Sequence, residues 1–253
     1  MNISFGVEKS MPQKGRLTVD SEGYYSVVLG AFNVTSRNGP FYELSNKVKV
    51  LFGPGSTLET RLNQGIVESE YDHPDYSLVP GNTVEEVNAN YMQRLLKIDS
   101  TLVGGVFKNV KLVPTKNIEY GSSEAIIEVH GKFKPRGPRG AEIKGYLDDP
   151  EVNTAFSLRC WRVCSENTGR KVCQVTIPIT WDFVPPNCQP GIAIATKEHS
   201  IGLEKLMSTG LEVTTESLSE LCAGLESIHD KALEEQISTL LNECRGNACM
   251  LNF

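Results

Sequence analysis

Two strand-like runs facing one another across a polar turn constrain this chain most. Residues 155–163 read Ala-Phe-Ser-Leu-Arg-Cys-Trp-Arg-Val, and residues 171–183 read Lys-Val-Cys-Gln-Val-Thr-Ile-Pro-Ile-Thr-Trp-Asp-Phe. Between them lies Ser165-Glu166-Asn167-Thr168-Gly169-Arg170, whose turn chemistry predicts a hairpin. Each arm carries a polar group among apolar neighbours: Ser157 between Phe156 and Leu158, and Asp182 between Trp181 and Phe183. A carboxylate in such a strand is costly unless paired, and an imidazole N–H is a good partner. A serine hydroxyl becomes a nucleophile only with a base beside it and a third group orienting that base.

The chain offers four histidines: His73, His130, His199 and His229. His73 ends a short strand-like run and precedes Pro74, which forces it toward extended geometry and lets the chain turn away. It should project from a strand end, a common place for function. His130, between Val129 and Gly131, reads as a structural or surface side chain. His199 and His229 fall in a polar, helical tail. His73 is thus the histidine best placed for chemistry.

Residues 1–23 are polar and irregular and read as an N-terminal arm. Residues 24–34 form a strand, and Asn38-Gly39 supplies a hairpin turn before Phe41 and Tyr42. Ser56 with Glu59 makes a capping box for a helix to residue 63, stopped by Gly65. Thr83 with Glu86 starts a second helix over 83–98, with Val84, Val87, Tyr91, Leu95 and Ile98 on its apolar stripe. Strands over 101–114 and 123–135, and a short helix over 141–149, precede the hairpin. After Pro185, Pro186 and Pro190 the pattern turns helical. These spans predict an N-terminal arm (1–23), a core (24–199) and a helical C-terminal extension (200–253). The fold class is α+β: a mostly antiparallel, barrel-like β core with surrounding helices.

With 253 residues, 40% of them hydrophobic, there is material for a proper core. The net charge of −6, with Lys132, Lys134, Arg136 and Arg139 as the one basic cluster, argues against direct nucleic-acid binding. No run approaches the roughly 20 apolar residues of a membrane span, and the N-terminus does not read as a secretory signal. No membrane partner is expected, and the default address is a reducing, intracellular one. The seven cysteines, Cys160, Cys164, Cys173, Cys188, Cys222, Cys244 and Cys249, are odd in number and include no Cys-x-x-Cys knuckle. They are expected to be mostly buried thiols, with a zinc module on Cys160, Cys164, Cys173 and Cys188 as the minor alternative. Neither metal nor cofactor is expected.

Four segments, Arg37-Asn38-Gly39-Pro40-Phe41-Tyr42, Glu70-Tyr71-Asp72-His73-Pro74, Ala155-Phe156-Ser157-Leu158-Arg159 and Trp181-Asp182, occur in this order. Together they resemble the prohead (procapsid maturation) proteases of large tailed bacteriophages, which are similar in core fold to the herpesvirus assemblins. The chain departs from that pattern in its Ser-Arg-Asn-Gly first segment and in a longer insertion between His73 and Ser157. The resemblance implies a serine endopeptidase with Ser157 as nucleophile, His73 as general base and Asp182 where assemblins carry a second histidine. It gives Arg159 a part in the oxyanion hole or its support. It also implies scaffold and major capsid proteins as substrates, a place inside the procapsid after synthesis in the host cytoplasm, and room for a homo-oligomer. Such proteases prefer a small residue, any residue, then glutamate before the cut. Gly-Leu-Glu occurs three times in the tail, making Glu204, Glu212 and Glu226 candidate self-cleavage sites. The rival reading is a non-catalytic virion or scaffold protein of the same fold.

Overall fold

Alternation of side chains along two long hairpins decides the architecture. In the computed structural model, residues 17–35, 40–119, 123–152, 155–167, 169–185 and 230–246 are described. The strands are β1 (Tyr25–Phe32), β2 (Val34–Thr35), β3 (Phe41–Tyr42), β4 (Glu68–Glu70), β5 (Val103–Ile118), β6 (Ala125–Pro135), β7 (Ala155–Asn167) and β8 (Arg170–Val184). Among the described residues there are five α-helices: α1 (Asn46–Leu51), α2 (Thr57–Asn63), α3 (Val84–Leu96), α4 (Gly140–Asp148) and α5 (Lys231–Gly246).

The strands form two four-stranded sheets, ordered β1-β6-β5-β4 and β2-β3-β8-β7. All pairings are antiparallel except β3 with β8. The fold is thus α+β as expected, but among the described residues the strands do not close into a barrel. The reason lies along one edge of β8, where partners cover only its two ends. Phe41 and Tyr42 pair with Val172 and Cys173, while Tyr71 makes an isolated parallel bridge to Phe183.

The core fills the space between the sheets. Phe107 and Phe133 of the first sheet meet Phe156 and Trp181 of the second, with ring centroids 4.9–5.6 Å apart. Phe156 also packs edge-on to Phe183 at 5.7 Å. Fully burying each such ring contributes about 1.5–3 kcal/mol. Because side chains alternate, turning Phe156, Leu158, Trp181 and Phe183 inward sends Ser157, Arg159, Thr180 and Asp182 to the opposite face of the hairpin.

The helix signals operate as read, with one shift. Ser56 accepts from the Glu59 N–H at 3.1 Å, the Glu59 carboxylate reaches back to Gly55 N at 2.6 Å, and Gly65 takes φ of 70° after the helix. Thr83 and Glu86 cap α3 in the same way, through Glu86 N and Asn82 N. The buried stripe of α3, however, is Tyr91, Met92, Leu95 and Leu96, while Val84 is exposed. The helix ends at Leu96, short of Ile98, and its first turn overhangs the core.

Residues 17–23 join the first sheet through a bridge between Val19 and Tyr25. At the other end, α5 packs on the core with Leu233 and Ile237 buried. Asp230, just before it, pairs with the buried Arg61, which also donates to the carbonyls of Pro178 and Ile179 at 3.0 and 2.8 Å.

The expectation of thiols fails at Cys164 and Cys173, which form a disulfide. They stand directly opposite one another in the β7–β8 register, so the hairpin itself brings them together. Cys160 is buried. Cys188, Cys222 and Cys249 lie outside the described residues, as do His199, His229, Glu204, Glu212, Glu226 and the Arg37-Asn38-Gly39 segment. No helix among the described residues is long and apolar enough to cross a membrane.

Candidate active site

The register of the β7–β8 hairpin pairs Ser157 directly with Asp182. Opposite residues in an antiparallel pair hold their Cβ atoms about 4.5–5.5 Å apart on one face. Arg159, two residues along from Ser157, shares that face. Its Nε donates to Asp182 Oδ2 at 2.9 Å and its Nη2 to Asp182 Oδ1 at 2.7 Å, a two-pronged grip on the carboxylate. All three residues are fully buried.

His73 arrives from the first sheet. After β4, Tyr71 N donates to Leu102 O and Asp72 N to Phe183 O, each at 2.8 Å, so the chain leaves one sheet and runs beside the end of β8. Asp72 turns in the left-handed region, φ 69°, and its carboxylate accepts from His73 N at 2.8 Å. Aspartate tolerates this conformation because its short side chain bonds locally. The result sets His73 Nδ1 at 3.1 Å from Asp182 Oδ2, with the imidazole side chain about a fifth exposed.

Behind Asp182 lies a layer that sequence reading did not assign. Glu70, fully buried, contacts Arg159 Nη2 at 3.1 Å and receives both terminal nitrogens of Arg94 from α3, Nη1 at 2.9 Å. Asp99 N also donates to Glu70, and Glu70 N approaches Asp182 Oδ1 at 3.4 Å. Arg159 Nη1 reaches Leu95 O at 3.4 Å, and the buried Tyr91 hydroxyl donates to Pro74 O at 3.3 Å. One face of α3 thus holds both the histidine loop and the ion network. Glu70 stood in the segment that drew attention to His73, and an acid in a buried run was its signal, as it was for Asp182. Arg94 gave no such signal, since helical arginines are usually solvated.

Burial alone would raise the Asp182 carboxyl, but the adjacent Arg159 charge and the His73 ring outweigh it and hold it below the ordinary range. The Arg159 guanidinium loses solvation by the same burial, and Asp182 and Glu70 more than compensate, keeping it firmly cationic. Burial pushes the Tyr91 phenol up, so it stays a neutral donor.

The structure therefore joins His73 and Arg159 to Asp182 and sets Ser157 across the ladder from that acid. The contacts of the Arg159 guanidinium go to Asp182, Glu70 and Leu95 O, which gives it a supporting place behind the acid. His130 bonds Glu128 at 2.7 Å, far from this chemistry in the ladder. Among the described residues no cluster of three or more potential metal ligands occurs.

An imidazole bonded through Nδ1 to a buried acid, with a serine across the ladder from that acid, supplies the groups that hydrolases use to activate a hydroxyl. Comparison with known proteins agrees in kind. The profile of the peptidase S80 family matches residues 5–245. The chain is 31% identical over 209 residues to the capsid maturation protease of Pseudomonas phage phiKZ, covering 83% of this chain and 73% of that relative. It also aligns with the structure of the bacteriophage T4 capsid assembly protease at a TM-score of 0.39 and 10% identity, over 72% of this chain and 96% of that one, too distant to carry weight. The chain belongs to the peptidase S80 family.

Proposed function

We propose that this chain is a serine endopeptidase of the phage procapsid, with Ser157, His73 and Asp182 as its catalytic residues. The observation that carries the proposal is the His73 Nδ1–Asp182 contact at 3.1 Å, with Ser157 directly across the ladder from that acid. Asp182 fixes the tautomer that places the proton on Nδ1, leaving Nε2 as the nitrogen that takes the proton from Ser157 Oγ. As Oγ attacks the scissile carbonyl, the ionised Asp182 stabilises the imidazolium. The C–N bond then breaks, His73 returns the proton to the leaving amine, and water, activated by the same ring, hydrolyses the acyl-enzyme. Arg159 keeps Asp182 ionised and aligned.

The substrates are scaffold and major capsid proteins inside the procapsid, cut after glutamate, and the chain's own tail at Glu204, Glu212 or Glu226. The family membership and the three Gly-Leu-Glu tripeptides support this reading. Because Ser157 is fully buried in this form, whatever covers it must move before a peptide can reach it. Intact-mass mapping of the purified wild-type chain and of Ser157→Ala tests the proposal. Truncation after one or more of the three glutamates, absent from Ser157→Ala, supports it. Identical trimming of both proteins with host proteases excluded overturns it, and leaves a structural protein of the same fold.

A further inference from the structure

The network behind Asp182 alternates in charge. From the site outward run Asp182 (−), Arg159 (+), Glu70 (−) and Arg94 (+), each in direct contact with the next. The first three side chains are fully buried, and only Arg94, a quarter exposed, reaches solvent. A buried carboxylate at Glu70 is not needed to fold a strand three residues long, and a packed apolar pair in place of a buried ion pair is often as stable. Its position instead divides the Arg159 cation between two acids, so the charge at Glu70 sets how much of Arg159 is left for Asp182.

We propose that Glu70 and Arg94 are positioning residues that set the proton affinity of the His73–Asp182 pair through Arg159. The inference rests on the catalytic reading for its purpose but not for its test. As drawn, the four charges sum to zero beside the imidazole. Glu70→Gln leaves two guanidiniums against one acid, a net positive charge that opposes protonation of the pair. Arg94→Gln leaves one guanidinium against two acids, a net negative charge that favours it. The double variant returns the sum to zero. Other groups facing the pair are Asp72 and Asp75 on the loop that carries His73, the neutral Tyr91 on α3, the Ser157 hydroxyl on β7 and Asp99 beyond Glu70. Asp72, Asp75, Tyr91 and Ser157 are common to the variants and cancel in the comparison, while the Asp99 carboxyl, held below its ordinary range chiefly by its bonds to Thr101, keeps its charge throughout.

The test is the titration of the His73–Asp182 pair, followed by the imidazole resonances of the full chain in a Ser157→Ala background, where no self-cleavage can intervene. A His73→Gln spectrum identifies the signals among the four histidines. Because the two groups interact, the midpoint belongs to the pair. It is expected to fall by about 0.5–1 pH unit in Glu70→Gln, to rise by about the same in Arg94→Gln, and to return near its starting value in the double variant. With Ser157 restored, the acid limb of kcat/KM for a Gly-Leu-Glu-containing peptide should move in the same opposed directions, with KM changed less than about twofold. Shifts of one sign in both single variants, or none, overturn the proposal. Should Glu70→Gln not fold, a rise in Arg94→Gln that is absent from the double variant still decides for it, and no rise decides against it. An opposed titration in a chain that cuts nothing would keep the coupling while ending the catalytic reading.

Discussion

Arg159→Met removes the cation that grips Asp182 while keeping most of the buried volume. Deleting one partner of a buried pair costs about 3–5 kcal/mol, because the other charge is stranded. The sign of the pH dependence is more telling than that total. In the native chain the Asp182 carboxyl is held below its ordinary value, so its contribution to stability is present above the unfolded pKa, about 3.9, and lost as pH falls through the lower folded value. Without Arg159, burial prevails and the carboxyl rises above its ordinary value. Its contribution is then present at low pH and lost as pH rises through the folded value. Over the interval in which the stranded acid titrates, acidification therefore stabilises the variant relative to the native chain, by at most about 1.4 kcal/mol per pH unit for each acid affected. Urea unfolding of Arg159→Met and its parent, both in a Ser157→Ala background, at about pH 5 and about pH 7 reads this directly. The deficit should be markedly smaller at the lower pH. Equal deficits at both would refute the idea that Arg159 is what keeps a buried acid ionised.

Three further outcomes are expected from the supporting structure. Asp230→Asn should lower unfolding stability by about 2–4 kcal/mol by leaving Arg61 buried with only two carbonyls, and Asp230→Leu with Arg61→Met should recover much of it in a denaturant titration. Ile237→Ala should cost about 2–4 kcal/mol by the same measurement, since its side chain is fully buried where α5 meets the core; a loss below about 0.5 kcal/mol would show that α5 is not docked. Thr83→Ala should cost about 1 kcal/mol by removing the cap of α3, and should lower activity with it because α3 carries Arg94 and the Leu95 carbonyl.

Local chemistry was legible wherever a side chain had one available reason to be where it is. The cap pairs Ser56–Glu59 and Thr83–Glu86 and the buried acid at Asp182 all announced themselves, because each satisfies a backbone or desolvation demand visible in a few residues. A donor for Asp182 was expected from the need of a buried acid, the family resemblance pointed to His73, and the two side chains do meet. What stayed hidden was contact across the sheets. Arg94 and Glu70 are 24 positions apart and meet only through the tertiary fold. Two open sheets joined at Tyr71 and Phe183 differ from a closed barrel only in which edges find partners, and alternation within a strand carries no information about that. The Cys164–Cys173 pair was legible in principle, since the predicted hairpin sets the two opposite one another once its turn is fixed, but composition and spacing alone favoured thiols.

The central claim is that Ser157 becomes a nucleophile when His73 and Asp182 act on it. It is tested most directly by treating the chain with a fluorophosphonate under conditions in which it cuts peptide, and locating the adduct by mass spectrometry. The account predicts a single adduct on Ser157, abolished by His73→Ala and strongly slowed by Asp182→Asn. Continued cleavage with Ser157 unlabelled, or an adduct on a different hydroxyl that tracks the loss of activity, would contradict it.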